Sequence, residues 1–85
     1  MLAAVNQVFE HEGRQYHINC EDFGFEVRTI AVRILDQGGI LWEKVMPYQT
    51  DKQEDERREA ERAVGAQMAK TVQTVRAAIA AGRLP

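Results

Sequence analysis

The chain has 85 residues, 45% apolar and 28% charged, with a formal charge of −2 and a sequence pI of about 5.6. This is the make-up of one globular domain near the size where a single core only just suffices. Its acidic balance gives no basic surface of the kind that nucleic acids or anionic membranes select. A lone cysteine, Cys20, excludes an internal disulfide and a cysteine-rich zinc site.

The segment from Met1 to Val5 lacks a basic leader and a long apolar run. No stretch approaches the roughly 18 apolar residues of a membrane span, so a reduced, cytoplasmic setting is expected. Residues 1–6 are weakly patterned and either fray or extend a first strand. From Gln7 to Cys20 the chain reads as a hairpin. Gly13 supplies its turn, at Glu12-Gly13 or Gly13-Arg14, and either choice keeps Phe9, Tyr16 and Ile18 on one sheet face. Glu21-Asp22-Phe23-Gly24 reads as a turn.

A second hairpin follows, Phe25 to Leu35 and Ile40 to Met46, joined at Asp36-Gln37-Gly38-Gly39 and ended by Pro47. A three-residue connection would set Arg33 opposite Glu43 and Ile34 opposite Trp42; a two-residue loop would change the pairing. The register is left open.

The rest reads as one long helix, about residues 51–82. Thr50-Asp51-Lys52-Gln53 has the spacing of a capping box, and Gly82 can close the other end. Val64, Met68, Val72, Val75 and Ile79 fall on one stripe. Ten of the twelve residues from Asp51 to Arg62 are charged, six acids and four bases, whereas residues 63–85 hold only Lys70, Arg76 and Arg83. Acids early and bases late suit the helix dipole, and Glu54–Arg58 has the spacing of a helical ion pair. Thirty helical residues would span about 45 Å, and an eight-residue strand about 27 Å. The charged third should therefore project past the sheet while the apolar part covers it.

Candidate chemistry is sparse. His11, His17, Cys20, Glu21 and Asp22 are metal-binding types, but the hairpin parity sets the two histidines on opposite faces. Glu21 and Asp22, as strand neighbours, cannot converge as an acid–base pair. Gly38-Gly39 lacks the lysine, hydroxyl residue and following helix of a phosphate loop. Arg57, Arg58 and Arg62 are surrounded by acids and form no basic patch. Arg14, Arg28, Arg33 and Lys44 with Tyr16 and Trp42 could make a basic aromatic face for single-stranded nucleic acid, although Glu10, Glu12, Glu26 and Glu43 interleave.

Tyr16-His17-Ile18-Asn19-Cys20-Glu21-Asp22 with Gly24, then Gly38-Gly39-Ile40 and Tyr48, then a helix ending Ala80-Ala81-Gly82-Arg83-Leu84, resembles small uncharacterised bacterial proteins. In these a Y-H-x-x-x-E-D-x-G segment precedes a G-G-x-I hairpin and a C-terminal helix. The resemblance covers most of the chain from Phe9 and implies a bacterial source; it carries no assigned activity, so no functional residue follows from it. The charged run at 51–62 is longer and denser than that pattern.

The expected architecture is a single α+β domain, 1–85: a four-stranded antiparallel sheet over about residues 7–48, covered on one face by a long C-terminal helix. One helix covers one face, yet apolar residues occur on both parities. The expected role is therefore a non-catalytic protein-interaction module, a homodimer or an adaptor, with Tyr16, Trp42, Leu35, Leu41 and Val45 as the candidate surface. The alternative is single-stranded nucleic-acid binding through the open face. No catalytic constellation, metal site, cofactor or small-molecule ligand is implied.

Overall fold

The structure is a computed structural model that describes residues 4–84, with Glu54 described by its backbone alone. Four strands follow one another, β1 (Ala4–His11), β2 (Arg14–Asp22), β3 (Thr29–Asp36) and β4 (Gly39–Pro47). They form one antiparallel sheet in the order β1-β2-β3-β4. A short 3₁₀ turn, Glu54–Glu56, leads into a single helix, α1 (Arg57–Ala80). The fold is α+β, an open sheet with one helix against it.

Both outer hairpins close on two residues. Glu12 and Gly13 have φ of 52° and 77°, and Gln37 and Gly38 have 52° and 82°, the doubly left-handed geometry of a type I′ turn. In the first hairpin Phe9 lies opposite Tyr16, so Phe9, Tyr16 and Ile18 do share a face. In the second, Leu35 pairs with Ile40, and a register shift follows between Ile34 and Leu35. Beyond it Ile34 faces Trp42 and Arg33 faces Glu43. The pairing expected of a three-residue connection is thus reached from a two-residue turn, with Leu41 as the extra residue of a bulge.

Two boundaries differ from expectation. Glu21 and Asp22 belong to β2, and the turn runs over residues 23–28, so the third strand begins at Thr29 rather than Phe25. Asp22 is the cause: its Oδ1 accepts the Gly24 amide at 2.8 Å and bends the chain there. The Phe25 ring leaves the sheet and packs edge-on against Tyr48, centroids 5.6 Å apart. At the N-terminal side, residues 4–6 extend β1; Met1 to Ala3 lie outside the described residues.

The helix start is displaced as well. The Thr50 hydroxyl accepts the Lys52 amide at 3.2 Å in a local turn rather than capping a helix. The cap lies three residues later, where the Gln53 amide donates to the Glu56 carboxylate at 3.3 Å. The strand-to-helix crossing is held by Arg28, whose Nη2 donates to the carbonyls of Thr50 at 2.8 Å and Lys52 at 3.0 Å. The charged run is therefore tied down at its beginning, and from Ala60, fully buried, it already lies on the core. Arg57 donates to Glu61 at 3.0 Å, and Lys52 stands 3.3 Å from both Glu56 and Glu59. The expected Glu54–Arg58 pair involves a side chain outside the described set.

The other end matches its sequence signal. Gly82 takes φ of 73°, with Arg83 N donating to Ala78 O at 2.9 Å and Gly82 N to Ile79 O at 3.0 Å, the two bonds of a Schellman motif. The dipole argument holds at one end only: Glu59 sits in the first turn, and the last turn carries no base.

Val64, Met68, Val72, Val75 and Ile79, none more than 4% exposed, meet Ile18, Cys20, Ile30, Val32 and Ile34, none more than 1% exposed. α1 runs over β2 with β1 and β3 on its flanks and stops short of β4. No described helix is long and apolar enough to cross a membrane.

Candidate functional site

Side-chain alternation sorts the sheet into a covered face and an open one. Across the open face the register forms rows. Asn6, Asn19, Arg33 and Glu43 make a polar ladder spanning all four strands. Asn19 Nδ2 donates to Asn6 Oδ1 at 2.7 Å, and Arg33 Nη1 donates to Asn19 Oδ1 at 3.2 Å and to Glu21 Oε1 at 3.0 Å. Arg33 Nε donates to Glu43, and this hydrogen bond is the main cause raising the guanidinium pKa above its ordinary value. On one side of the ladder run Val8, His17, Leu35 and Ile40; on the other, Ala4, Glu21, Ala31 and Val45. Val8, Ile40 and Val45 are 57–60% exposed, large values for aliphatic side chains on a sheet.

The five residues expected to form one surface do not share a face. Leu35 and Val45 lie on the open side. Tyr16, 7% exposed, is buried under α1, and Trp42 packs against the core from β4. Leu41 also packs against the core, because the bulge turns it to the side occupied by Trp42. A strict alternation would have sent it to the opposite face.

The basic aromatic set is dispersed too. Arg14 lies 5.0 Å over the Tyr16 ring and donates to Asp36 at 2.6 Å. Arg28 lies over Phe25 and Tyr48, and Lys44 faces the helix side with Trp42. Phe9, Tyr16 and Trp42, the strand aromatics, all point to the covered face, so among the described strand residues the open face offers no phenyl, phenol or indole ring on which a base could stack.

The titratable groups that drew attention in the sequence serve the fold. Asp22 accepts from Gly24 N and from the Tyr48 hydroxyl. Burial, followed by that hydrogen bond, pushes the Tyr48 hydroxyl well above its ordinary range. Cys20 is fully buried, and burial, with the nearby Asp22 and Glu21 charges, pushes its thiol up to about 11, the opposite of an activated thiolate. His11 stacks on Phe9, 6.1 Å away, on the covered side, and His17 sits on the open side opposite Val8. Among the described residues no three His, Cys, Asp or Glu side chains converge on a point where a metal could sit.

What sequence reading missed is a difference between the two sheet edges. β4 carries a bulge, the charged pair Glu43-Lys44 and a terminal proline, each a device that discourages another strand from adding. β1, Ala4–His11, pairs with β2 in unbroken register over its whole length and contains no lysine, proline or bulge, only Glu10 as a formal charge. The signal was visible in the residues but had no meaning until the strand order made these two strands the edges. Compared with known proteins, the chain matches no family model, no curated protein and no solved structure.

Proposed function

We propose that this chain is a non-catalytic interaction module whose partner is a second copy of itself, joined strand to strand through β1. The unprotected β1 edge carries this reading. An antiparallel β1–β1′ pair about a two-fold axis, with Val8 opposite Val8 of the copy, sets Phe9 against Gln7 and Asn6 against Glu10. No like charges oppose one another in that register, and an amide meets a carboxylate. The product is an eight-stranded sheet with both helices on the same side. The two β2 strands would lie about 14 Å apart, three strand spacings, which leaves room for two helices side by side. On the open side, the row of Val8, His17, Leu35 and Ile40 would run unbroken into its copy.

Two further observations support binding over catalysis and over single-stranded nucleic acid. Cys20, Asp22 and Tyr48 are occupied in core or turn contacts, and the strand aromatics point to the helix side of the sheet. A reduced cytoplasmic setting suits the free, buried Cys20, and the bacterial source implied by the Tyr16–Gly24 segment belongs to the same reading.

Val8→Lys tests the proposal. Val8 is 57% exposed, so a lysine there is tolerated in one protomer, but in the dimer two lysines face each other across the axis. Sedimentation equilibrium should give twice 9.7 kDa for the parent chain and 9.7 kDa for the variant. Lys44→Val, on the protected edge, should leave the mass of the dimer unchanged. A parent chain that stays at 9.7 kDa at every concentration, or a Val8→Lys variant that still dimerises, overturns it.

A further inference from the structure

Because α1 stops short of β4, a groove of about 480 Å³ lies between them, within the size range of small-molecule sites. Its floor is Val32; one wall is Trp42 and Met46, the other Thr71, Val75 and Ala78. Three uncharged polar side chains bordering it, Gln67, Thr71 and Thr74, are already hydrogen-bonded within the fold. Gln67 Nε2 donates to Pro47 O at 3.0 Å and its Oε1 accepts from Gln49 N at 2.9 Å. The Thr71 hydroxyl donates to Gln67 O at 2.7 Å. What faces the groove is therefore largely hydrocarbon, indole and thioether.

The charge around it is one-sided. Lys44, Lys70 and Arg83 border the groove and, among the described residues, no acidic side chain does, in a chain with 13 acids against 11 bases. Among the described residues none of the three has an ion-pair partner. An apolar trough with three unpaired cations and no anion complements a ligand with an apolar tail and one anionic head.

Size decides what kind of amphiphile. A peptide helix is about 10 Å across with its side chains, so a length matching Gln67 to Ala78, about 17 Å, would occupy roughly 1,300 Å³, far more than the groove offers. An extended peptide would have to add to β4, the edge that the bulge and Pro47 protect. We infer that the α1–β4 groove binds a single-chain alkyl carboxylate, its chain against Trp42, Met46 and Val75 and its head group held by Lys44, Lys70 or Arg83. This site lies on the edge opposite the proposed dimer contact, so either can fail alone.

Trp42 is the sole tryptophan and lines the groove, so its emission reports occupancy without a label. Titration with monomeric dodecanoate should change that emission saturably, at one ligand per chain. Affinity should rise about fourfold per methylene from octanoate to dodecanoate. Dodecanol should bind about tenfold more weakly or worse, since it lacks the charge-assisted contacts. The triple variant Lys44→Ala/Lys70→Ala/Arg83→Ala, all exposed positions, should bind the acid and the alcohol alike. Ala78→Phe should block both while the circular dichroism melt stays cooperative, and Val8→Lys should bind as the parent does. Absence of a saturable change below the aggregation concentration of dodecanoate overturns the inference. So does equal affinity for dodecanol in the parent chain, or sedimentation with phosphatidylglycerol vesicles without binding of monomeric dodecanoate.

Discussion

Gln67 is the only polar or charged residue among the buried side chains described, 6% exposed, and it joins α1 to the strand that α1 does not cover. Its amide bridges the Pro47 carbonyl and the Gln49 N–H, the point where the chain leaves β4 for the crossing. Gln67→Met keeps the length and removes both bonds. Two neutral hydrogen bonds are worth about 1 kcal/mol each net. The exposed Pro47 and Gln49 can turn to water, so the loss should be about 2 kcal/mol and no more. For a domain of this size that lowers Tm by roughly 8–16 °C. Urea denaturation should show a lower midpoint at unchanged m, and the Gln49 amide should exchange faster by hydrogen–deuterium NMR. Gln67→Glu separates the two halves of the bridge. A carboxylate can still accept from Gln49 but faces the Pro47 carbonyl with no proton to donate, so at neutral pH this variant should be less stable than Gln67→Met. Its folded-state pKa would lie above the unfolded value of about 4.3. The deficit should therefore be smallest below that pH and grow as pH rises through the folded-state value. A Gln67→Met protein with the parent midpoint, or a Gln67→Glu protein insensitive to pH between 4 and 7 (roughly the range where a buried carboxyl titrates), would show that the bridge contributes nothing.

Three further outcomes can be checked directly. Gly65 lies inside α1, and a Cβ there would meet nothing within 4 Å; Gly65→Ala in the Val8→Lys background should raise stability by about 1 kcal/mol, read as a higher Tm, and no change would mean that the glycine serves the folded protomer in some other way. Met68, 1% exposed under the sheet, should cost about 2–5 kcal/mol as Met68→Ala, measured by urea unfolding. The Cys20 thiol, raised from 9.0 to about 11 by burial, keeps its proton in the fold while the unfolded chain loses it. Stability is therefore fully present below about pH 9 and falls by about 1.4 kcal/mol per pH unit towards 11, a slope that Cys20→Ala should reduce in a pH series of melts.

The parts of the fold that could be read from residues alone are those where one local rule acts unopposed. The stripe from Val64 to Ile79 is core because its period matches a helix and nothing competes. Gly82 ends the helix because the Schellman bonds need a left-handed residue there. Where two rules met, the reading slipped. Thr50 has the chemistry of an N-cap, but Arg28 holds the carbonyls on either side of it and the cap moves to Gln53. Phe25 looks like the start of a strand because it is apolar, yet its ring is needed against Tyr48. Tyr16 and Trp42 looked like surface candidates because strand parity says which residues share a face, not which face the helix takes. Strict alternation sets Leu41 on the face opposite Trp42, and one bulge undoes it.

The same bulge bears on both proposals. A two-residue type I′ turn and the Arg33–Glu43 pairing are incompatible in a regular ladder, since they differ by one residue in register. Leu41 absorbs the difference, which keeps the polar ladder intact and bends the edge of β4 at the same point. That edge is thereby poor at accepting another strand, whereas β1, paired evenly from Ala4 to His11, has no comparable defence. Leu41 and Trp42 both turn to the covered side, and Trp42 lines the margin that α1 fails to reach. One inserted residue thus leaves β4 suited to border a ligand groove and leaves β1 as the edge for a second chain. Deleting Leu41 should close this distinction without costing the ladder: with Asp36–Gly39 kept as the turn, Ile34 would still face Trp42 and Arg33 would still face Glu43, now in a regular register, and β4 would lose the bend that discourages a second strand.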